Sequence, residues 1–478
     1  MFHRVCCQKS GAVIACFREF STHISHKKFW KMLKKVPLVV ILGSTGTGKT
    51  KLSLELAKKF GGEIISADSM QVYKGLNIAT AKATKAEQQV APHHLLDVAQ
   101  PGVPYSVLDF RNSAHPIIDD LLAQNKMPIV VGGTNYYIES LLWKVLIVPP
   151  QTASSSSGTK RKLAHSDSES DDVFHIDRIK RFTAQEMNGM NSCDLHKCLQ
   201  QIDPITANRL HPNNKRKIIR AIEIFNMSGE AMSSIINEQR SQEGGSKLGG
   251  PLRYKDVILF SLHCDQEILN NRLDSRVDSM VKDGLLAEIR DFHKTFVEPF
   301  TDTDYTKGIL QTIGFKEFIP YLENFSQDDD EKILKYIVEE SSGTEPQGMD
   351  TLRKCLDELK MVTRRYSKKQ GKWVRNRFLG NLSRDVPPLY KLDTSDPSVW
   401  QENVYSKAED VIEAFMEGRM PKMEPEKRFA SHKEELNDEV TNFCEVCNRT
   451  FIGEFQWNIH LKSNKHKRSH IKKLKNDK

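Results

Sequence analysis

The sequence predicts an α/β fold: a parallel sheet with helices on its faces, followed by helical segments and a small metal-binding module. Three observations support this prediction. Residues 38–42 form an apolar run that leads into a glycine-rich turn and then into apolar residues at helical spacing. Short apolar runs alternate with helical patterns up to about residue 148, as in parallel sheets. Near the C-terminus, two cysteines and two histidines have the spacing of zinc ligands.

The glycine-rich turn matches the complete pattern G-x-x-x-x-G-K-[ST]. Its residues are Gly43, Ser44, Thr45, Gly46, Thr47, Gly48, Lys49 and Thr50. In this pattern backbone N–H groups and a helix N-terminus bind an anion, the lysine adds a charge, and the last hydroxyl is a ligand for Mg²⁺. The sequence therefore predicts a P-loop NTPase-like core that binds a phosphate or diphosphate, with Thr50 as a magnesium ligand.

Polar segments follow two further predicted strands, residues 63–67 and 128–131. The first strand leads to Asp68, Ser69, Met70 and Gln71, and the second leads to Gly132, Gly133 and Thr134. Because the carboxyl ends of parallel strands meet at one edge of a sheet, we expect these segments and the glycine loop to line one crevice. Convergence of this kind is typical of an active site.

A predicted helix, residues 266–282, places Arg272 and Arg276 one turn apart on one face. Two guanidiniums at this spacing, one strand away from a phosphate loop, suit a diphosphate clamp. The alternative is that both arginines lie on the surface and pair with Asp265 or Asp274, as exposed arginines commonly do.

Two basic segments predict contacts with RNA. The first carries Lys215, Arg216, Lys217 and Arg220, and the second carries Arg364 and Arg365 in a region where basic residues alternate with Tyr366 and Trp373. Basic charge mixed with aromatic side chains is typical of RNA-binding surfaces. A solvated helix face is the alternative for the first segment.

The C-terminal ligand set is Cys444, Cys447, His460 and His466, in the spacing C-x₂-C-x₁₂-H-x₅-H. This spacing predicts a tetrahedral Cys₂His₂ zinc site. Phe451 and Trp457 would supply the small core that zinc binding must complete.

Patterning divides the chain into segments. We expect a mitochondrial transit segment at 1–35, a P-loop α/β core at 36–150, a disordered insert at 151–173, a helical insertion at 174–250, the remainder of the core with a basic helical region at 251–385, a linker at 386–440, a ββα zinc finger at 441–468 and a basic tail at 469–478.

Targeting predictions rest on composition. Residues 1–35 contain a single acid, Glu19, and mix basic with apolar residues, which favours a transit peptide over a leader without function. Met32 would serve as a second start for a cytosolic form. The cluster at residues 160–162 lies beside serines and acidic residues and would be a targeting or phosphorylation element, although we favour a solvated insert. The tail either binds nucleic acid or directs the protein to the nucleus. We therefore expect mitochondrial and cytoplasmic forms, with nuclear import as a further option.

Bulk composition is consistent with these predictions. The chain has 478 residues and a formal net charge of +8, enough for two or three domains but only weak evidence by itself for nucleic acid. Nine cysteines, an odd number, favour a reducing compartment over a disulfide framework. No apolar run approaches the length of a membrane span, so we expect no membrane association.

An ordered set of motifs resembles one family. After the phosphate loop come D-S-M-Q-V-Y at 68–73, A-P-H-H-L-L-D at 91–97, Y-S-V-L-D-F-R at 105–111, G-G-T-N-Y-Y-I at 132–138 and I-G-F-K-E at 313–317. Together they closely resemble the tRNA dimethylallyltransferases (tRNA isopentenyltransferases) over most of residues 37–380. The finger is similar to the additional C-terminal module of eukaryotic members. The resemblance also implies that the helical insertion at 174–250 binds tRNA.

The resemblance implies transfer of a dimethylallyl group from dimethylallyl diphosphate to N6 of the adenosine 3′ of the anticodon in tRNA. Asp68 would be the general base, Thr134 would lie near the reacting carbon and the bridging oxygen, and Arg276 with Arg272 would hold the diphosphate. Residues 68–71 would contact the flipped base, and residues 216–220 the tRNA backbone. At residues 314–317 the chain has Gly-Phe-Lys-Glu where the family usually has Gly-Tyr-Arg-Gln.

Two other functions compete with this interpretation. A small-molecule kinase would also use a phosphate loop, but nothing beyond the loop indicates a nucleobase pocket. A nucleic-acid-binding protein would rely on the finger alone and would have no reason to retain both Lys49 and Asp68. We therefore favour the transferase, with tRNA, dimethylallyl diphosphate, Mg²⁺ and Zn²⁺ as partners, and expect a monomer.

Overall fold

A computed structural model describes residues 36–144, 176–300, 303–338, 344–430 and 441–476. The predicted transit segment and the predicted insert at 151–173 lie outside the described residues. Among the helices of these ranges, none combines the length and the apolar composition that a membrane crossing requires.

Within the described ranges, six strands form one sheet in the order β3-β2-β4-β1-β5-β6, and every neighbouring pair is parallel. A separate antiparallel pair, β7–β8, lies near the C-terminus. The strands are β1 (Leu38–Gly43), β2 (Glu63–Ser66), β3 (His93–His94), β4 (Pro128–Val131), β5 (Val257–His263), β6 (Leu389–Asp393), β7 (Thr441–Cys444) and β8 (Arg449–Ile452).

The helices follow the strand-helix alternation and then form longer helical blocks. They are α1 (Lys49–Phe60), α2 (Lys85–Val90), α3 (Val107–Ala123), α4 (Asn135–Leu142), α5 (Ile176–Ile179), α6 (Ala184–Gly189), α7 (Ser192–Ile202), α8 (Pro204–Arg209), α9 (Lys215–Ser228), α10 (Met232–Ser241), α11 (Gln266–Lys282), α12 (Leu285–Phe296), α13 (Ile319–Leu322), α14 (Gln327–Val338), α15 (Met349–Val374), α16 (Ser406–Glu417), α17 (Glu454–Lys462) and α18 (Asn464–Asn476). The α/β class is therefore confirmed.

Strand β1 lies in the middle of the sheet, between β4 and β5, and all six of its residues are buried. Burial on both faces explains why this strand is apolar throughout rather than alternating. Alternate residues pack on opposite sides: Val40 contacts the layer that contains α3, α4 and α15, and Val39 contacts the layer that contains α1 and α16. The strand thus fixes the glycine loop at its carboxyl end between two packed layers.

The register of the sheet brings three loops together. Ser66 at the end of β2 pairs with Val131 at the end of β4, and Ile41 of β1 pairs with the same Val131. The loops that follow β1, β2 and β4 therefore leave the sheet at one edge. This confirms the predicted convergence.

Residues 386–430, the described part of the predicted linker, are not a linker. Residues 389–393 form β6, the sixth strand, which pairs with β5, and α16 packs on α1 with an ion pair of 2.7 Å between Lys59 Nζ and Glu409 Oε1. The strand has only five residues and follows two prolines, so its local pattern resembles that of a connector. Its partner strand lies more than a hundred residues earlier in the chain.

The predicted helical insertion and finger have the expected secondary structure. Helices α5 to α10 fall within residues 174–250 and pack around an apolar cluster of their own that includes Leu195, Leu199, Ile218 and Ile222. Strands β7 and β8 followed by α17 form the ββα unit, and the tail continues as α18. The finger touches the insertion through a hydrogen bond from Thr441 Oγ1 to the Asn208 carbonyl.

The assignment of β6 to the core gives a first prediction. Leu392 is fully buried in the layer beside α1, so Leu392→Ala should lower the free energy of unfolding by about 2–5 kcal/mol. Its exposed neighbour offers the control: Lys391→Ala should change stability by less than about 0.5 kcal/mol. Chemical denaturation of the full chain measures both. Equal stability of the two variants would contradict the sheet topology described above.

Candidate active site

The glycine loop has the geometry of an anion cradle. Gly46 and Gly48 have φ of 82° and 88°, a left-handed backbone that favours glycine. A Cβ at Gly46 would come within 2.8 Å of Leu273 on α11, so this position also requires a residue without a side chain. The loop ends at the first turn of α1, where helix N–H groups and the helix dipole favour a bound anion.

Helix α15 holds the loop in place from a distant part of the sequence. The Ser44 hydroxyl donates to the Ser367 carbonyl at 2.7 Å, and the Thr45 N–H donates to Gln370 Oε1 at 2.8 Å. Gln370 Nε2 in turn donates to the Gly133 carbonyl at 3.0 Å. A single buried amide therefore joins the phosphate loop to the loop after β4. Sequence reasoning missed this residue because its partners are more than 200 residues away.

Asp68 and Thr134 lie on neighbouring loops that are joined through Ser69, and of the two Asp68 lines the cavity. Asp68 follows β2, and its Oδ1 accepts from the Met70 N–H at 2.9 Å. Thr134 Oγ1 accepts from the Ser69 N–H at 2.9 Å and donates to the Ser69 hydroxyl at 3.1 Å. These bonds fix the orientation of both side chains before any ligand binds. Tyr366, a further residue that the sequence did not single out as functional, donates from its hydroxyl to the Gly133 carbonyl at 3.3 Å beside them.

The electrostatics of the crevice are those of a partly desolvated ion cluster. Burial raises the pKa of Asp68, although the Lys49 ammonium and backbone N–H groups oppose the shift. Burial also lowers the pKa of Lys49 to about 8, with Asp68 opposing the shift and Arg276 adding to it. Burial lowers the pKa of Arg276, which nevertheless stays charged because its ordinary value is so high. Two cations and one carboxylate thus lie within electrostatic range of one another.

The residues of the crevice line one cavity of about 710 Å³, within the range of small-ligand sites. Its walls include Lys49, Thr50, Asp68, Arg276 and Tyr366. The cavity is therefore large enough for a diphosphate together with an organic group. It brings together the predicted base, residues of the predicted phosphate loop and both predicted arginines.

Arg272 lines the cavity and also makes contacts within the chain. Its guanidinium donates to the Thr394 carbonyl at 2.7 Å and to the Ser395 carbonyl at 2.6 Å. Asp274, one of the acidic partners considered for it, pairs instead with Arg364. Arg272 thus supports the loop after β6, and its contact with a diphosphate stays a prediction.

Two of the predicted tRNA contacts are also used within the chain. The Lys215 ammonium donates to the carbonyls of Asn188 and Met190, both at 2.6 Å. Arg364 forms an ion pair with Asp274 on α11. These charges stabilise the fold and are less available to an external partner than the sequence suggested. Arg365 is exposed.

The segment after Asp68 is held by its own side chains. Gln71 Nε2 donates to the Thr80 and Ala81 carbonyls, and Gln71 Oε1 accepts from the Ser66 hydroxyl. The buried Lys82 ammonium donates to four oxygens between residues 73 and 97, including Asp97 Oδ1 at 2.6 Å. Ser69, Met70 and Gln71 all line the cavity. The loop that carries them is therefore fixed before a ligand binds.

A basic and aromatic surface adjoins the cavity. The Tyr136 ring is 41% exposed and lies 6.2 Å, centroid to centroid, from the Trp373 ring. Burial raises the pKa of the Tyr136 hydroxyl, and the guanidiniums of Arg377, Arg216 and Arg220 are close enough to oppose that shift. In the C-terminal half of α15 the exposed side chains of one face are all basic. They are Arg365, Lys368, Lys369 and Lys372.

The zinc ligands converge as predicted. One ligand atom from each of Cys444, Cys447, His460 and His466 lies within 4.8 Å of the others. His466 Nδ1 is 3.6 Å from Cys444 Sγ and 3.5 Å from Cys447 Sγ, as expected for atoms bound to one tetrahedral Zn²⁺. Among the described residues, the buried His460 Nε2 has no hydrogen-bond partner, which the metal would supply. The donor set therefore fits a structural zinc ion.

Zinc binding gives a second prediction. The full chain should bind one Zn²⁺, and Cys447→Ser should lose it because a structural site needs all four ligands. Cys193→Ser, which changes an exposed cysteine outside the finger, should retain the metal. Elemental analysis of the purified variants measures both. Zinc retained by the Cys447 variant would contradict the ligand set.

Comparison with known proteins agrees with this geometry. The family model described as IPP transferase matches residues 71–377, and a zinc-finger model of the C2H2 type matches residues 443–466. A human tRNA dimethylallyltransferase is 42% identical over 447 residues, which cover 92% of this chain and 86% of that protein. The corresponding mouse protein is 41% identical and covers 94% and 88%.

A solved structure is also similar. It shows a eukaryotic dimethylallyltransferase acting on tRNA, is 29% identical, has a TM-score of 0.70, and aligns with 92% of this chain and 98% of that chain. Fold, family model and relatives therefore point to one family. The chain belongs to the IPP transferase family, that of the tRNA dimethylallyltransferases.

Proposed function

We propose that the protein transfers the dimethylallyl group of dimethylallyl diphosphate to N6 of the adenosine 3′ of the anticodon in tRNA. The observation that carries the proposal is the arrangement of one cavity, in which a carboxylate with a raised pKa, Asp68, faces a phosphate loop that ends at Lys49. A kinase needs a phosphate loop but no such base for an amine. A protein that binds nucleic acid through the zinc finger alone needs neither a phosphate loop nor a base.

The reaction exchanges one bond for another. The lone pair of the adenine N6 amine bonds to C1 of the dimethylallyl group, the bond from C1 to the bridging oxygen breaks, and the diphosphate leaves with the electron pair. The N6 proton passes to the Asp68 carboxylate. An exocyclic amine is a weak nucleophile, so removal of the proton as the bond forms accelerates the reaction. Products are N6-(dimethylallyl)adenosine and diphosphate.

The leaving group gains negative charge as the bond breaks, and the loop is built to stabilise it. Backbone N–H groups of the loop, the Lys49 ammonium and the Arg276 guanidinium surround the place of the diphosphate. Thr134, held by Ser69, is assigned to the reacting carbon and the bridging oxygen by its position in the family motif. Charge on the diphosphate would also favour the protonated form of Lys49.

A magnesium ion fits this site. The exposed Thr50 hydroxyl lies at the start of α1 and lines the cavity, where it would be the protein ligand. Among the described residues, the one group of three or more His, Cys and acidic side chains that could hold a metal is the finger. The remaining ligands would come from diphosphate and water, which is the usual way in which proteins bind Mg²⁺. The ion would neutralise charge on the diphosphate.

Transfer from labelled dimethylallyl diphosphate to tRNA tests the function. Asp68→Asn keeps the size of the side chain but removes the base, so we expect transfer to fall at least about 100-fold while pyrophosphate binding survives. In the wild type, transfer should rise with pH as Asp68 loses its proton, above the usual range for an aspartate because its pKa is raised. The variant should not show that rise. No transfer to any tRNA, together with tight binding of ATP, would contradict the transferase and favour the small-molecule kinase.

The tRNA partner would bind the surface beside the cavity. An anticodon-loop base flipped from its stack can enter the cavity, while the basic face of α15 meets phosphates and the Tyr136 ring meets a neighbouring base. Arg216, Lys217 and Arg220 extend the positive charge onto α9, although Arg220 also pairs with Glu223 at 3.2 Å. The aromatic and basic composition of this surface supports the assignment.

Charge removal tests that surface. Replacing Lys368, Lys369 and Lys372 together by alanine should weaken tRNA binding and lower the slope of log K against log salt by about two, since each phosphate contact contributes about 0.7–0.9. Lys354→Ala, an exposed lysine near the other end of α15, is the control and should leave the slope unchanged. Filter binding over a salt series measures it. An unchanged slope in the triple variant would place the tRNA elsewhere.

Compartment and oligomeric state remain proposals from the sequence. The composition of residues 1–35 supports mitochondrial import of one form, and a start at Met32 would leave a second form in the cytosol. For the oligomeric state we keep the expectation of a monomer.

A further inference from the structure

Trp400 packs against the phosphate loop from the side opposite the catalytic residues, and its role is not explained by the chemistry above. It lies in the segment after β6, and 8% of the residue is exposed. Its ring edge comes within 2.8 Å of the place that a Cβ would occupy on Gly48. The ring therefore lies directly on the last glycine of the loop, where α1 begins.

Three contacts hold this ring. The indole N–H donates to Glu55 Oε2 at 2.8 Å, and the Lys51 ammonium lies 4.4 Å from the ring centroid. Behind the ring, Val404 and Leu52 belong to the same apolar cluster. Lys51 thus covers a ring face, Glu55 occupies the polar edge, and Gly48 is in contact with the apolar edge. The ring face on which a nucleobase would stack is therefore already covered by Lys51.

The approach to the ring is fixed as well. The two hydrogen bonds from Arg272 to the Thr394 and Ser395 carbonyls hold the loop that leads from β6 to Trp400. After the ring, the ion pair of Lys59 with Glu409 holds α16 against α1. Both ends of the segment are therefore anchored to helices that flank the phosphate loop, and the ring cannot move away without breaking these contacts.

This position matters because of the direction in which the nucleoside part of a bound nucleotide points away from a phosphate loop. When such a loop binds a nucleotide, it cradles the α- and β-phosphates, and the nucleoside on the α-phosphate extends past the first turn of the following helix. That turn is where Lys51 and Trp400 lie. In this protein Lys51 lines the cavity at that turn and covers Trp400, which is not among the lining residues, and the cavity also extends towards Asp68, Tyr366 and Met280.

We propose that Trp400 is a specificity-determining residue that closes the nucleoside side of the phosphate loop, so that the loop accepts a diphosphate with a small allylic group and rejects nucleoside diphosphates and triphosphates. The proposal rests on the proposed function in assigning a diphosphate to the loop. It adds the discrimination against nucleotides, which have the same phosphate chemistry and therefore compete for any open loop of this kind.

Calorimetric titration of the full chain with inorganic pyrophosphate and with ADP, both with Mg²⁺, tests the proposal. The wild type should bind pyrophosphate at least about 100-fold more tightly than ADP. Trp400→Leu keeps an apolar side chain in the cluster but removes the ring, and it should narrow this preference at least about 10-fold, mainly by tighter ADP binding. Trp400→Phe, which keeps a ring on Gly48, should retain most of the preference.

The outcomes separate the two proposals. Absence of pyrophosphate binding by the wild type would defeat the assignment of a diphosphate to the loop, and with it the proposed function. Pyrophosphate and ADP bound equally by the wild type would overturn the role of Trp400 alone. A folded leucine variant with an unchanged preference would also overturn it, and would leave the ring as a packing residue.

Discussion

The side-chain amide of Gln370 is the contact on which the geometry of the site depends. It accepts a hydrogen bond from the Thr45 N–H and donates one to the Gly133 carbonyl, so it fixes the distance between the phosphate loop and the loop that carries Thr134. Both bonds are buried or partly buried, and a replacement that cannot make them would leave backbone groups without partners, which costs more than the bonds themselves contribute. The phosphate loop and the loop that carries Thr134 are thereby held at a set separation.

The same burial acts in opposite directions on the two charged groups of the cavity. It raises the pKa of Asp68, which makes the carboxylate a stronger base. It lowers the pKa of Lys49, so the ammonium loses its proton more readily. In the proposed function, an arriving diphosphate would reverse the second effect, because its negative charge favours the ammonium form. It would also discourage ionisation of Asp68, and the Arg276 guanidinium would oppose that effect.

Local signals predicted the elements that make the phosphate loop. β4 and α11 have the bounds that the sequence predicted, and β1 and β2 differ by a residue at one end, because apolar runs, helical spacing and glycines act within a few residues. The contacts that complete the site join distant segments, and no local pattern reveals them. Arg272 shows the difference: its place on the helix was predicted, but its partners, Thr394 and Ser395, lie in a segment that resembled a linker.

The phosphate loop and the residues that lock it are far apart in the order of synthesis. The hydrogen bonds of Ser44 and Thr45 to α15 span 323 and 325 residues, and the last strand of the sheet follows later still. A ribosome that has completed the catalytic motifs has therefore not yet made the parts that close the core. Until then the apolar strands lack a covered edge, and contacts of such long range form slowly. We therefore expect the nascent chain to expose apolar strands during much of its translation, and a message truncated before residue 393 to yield the family motifs described above without the strand that completes the sheet.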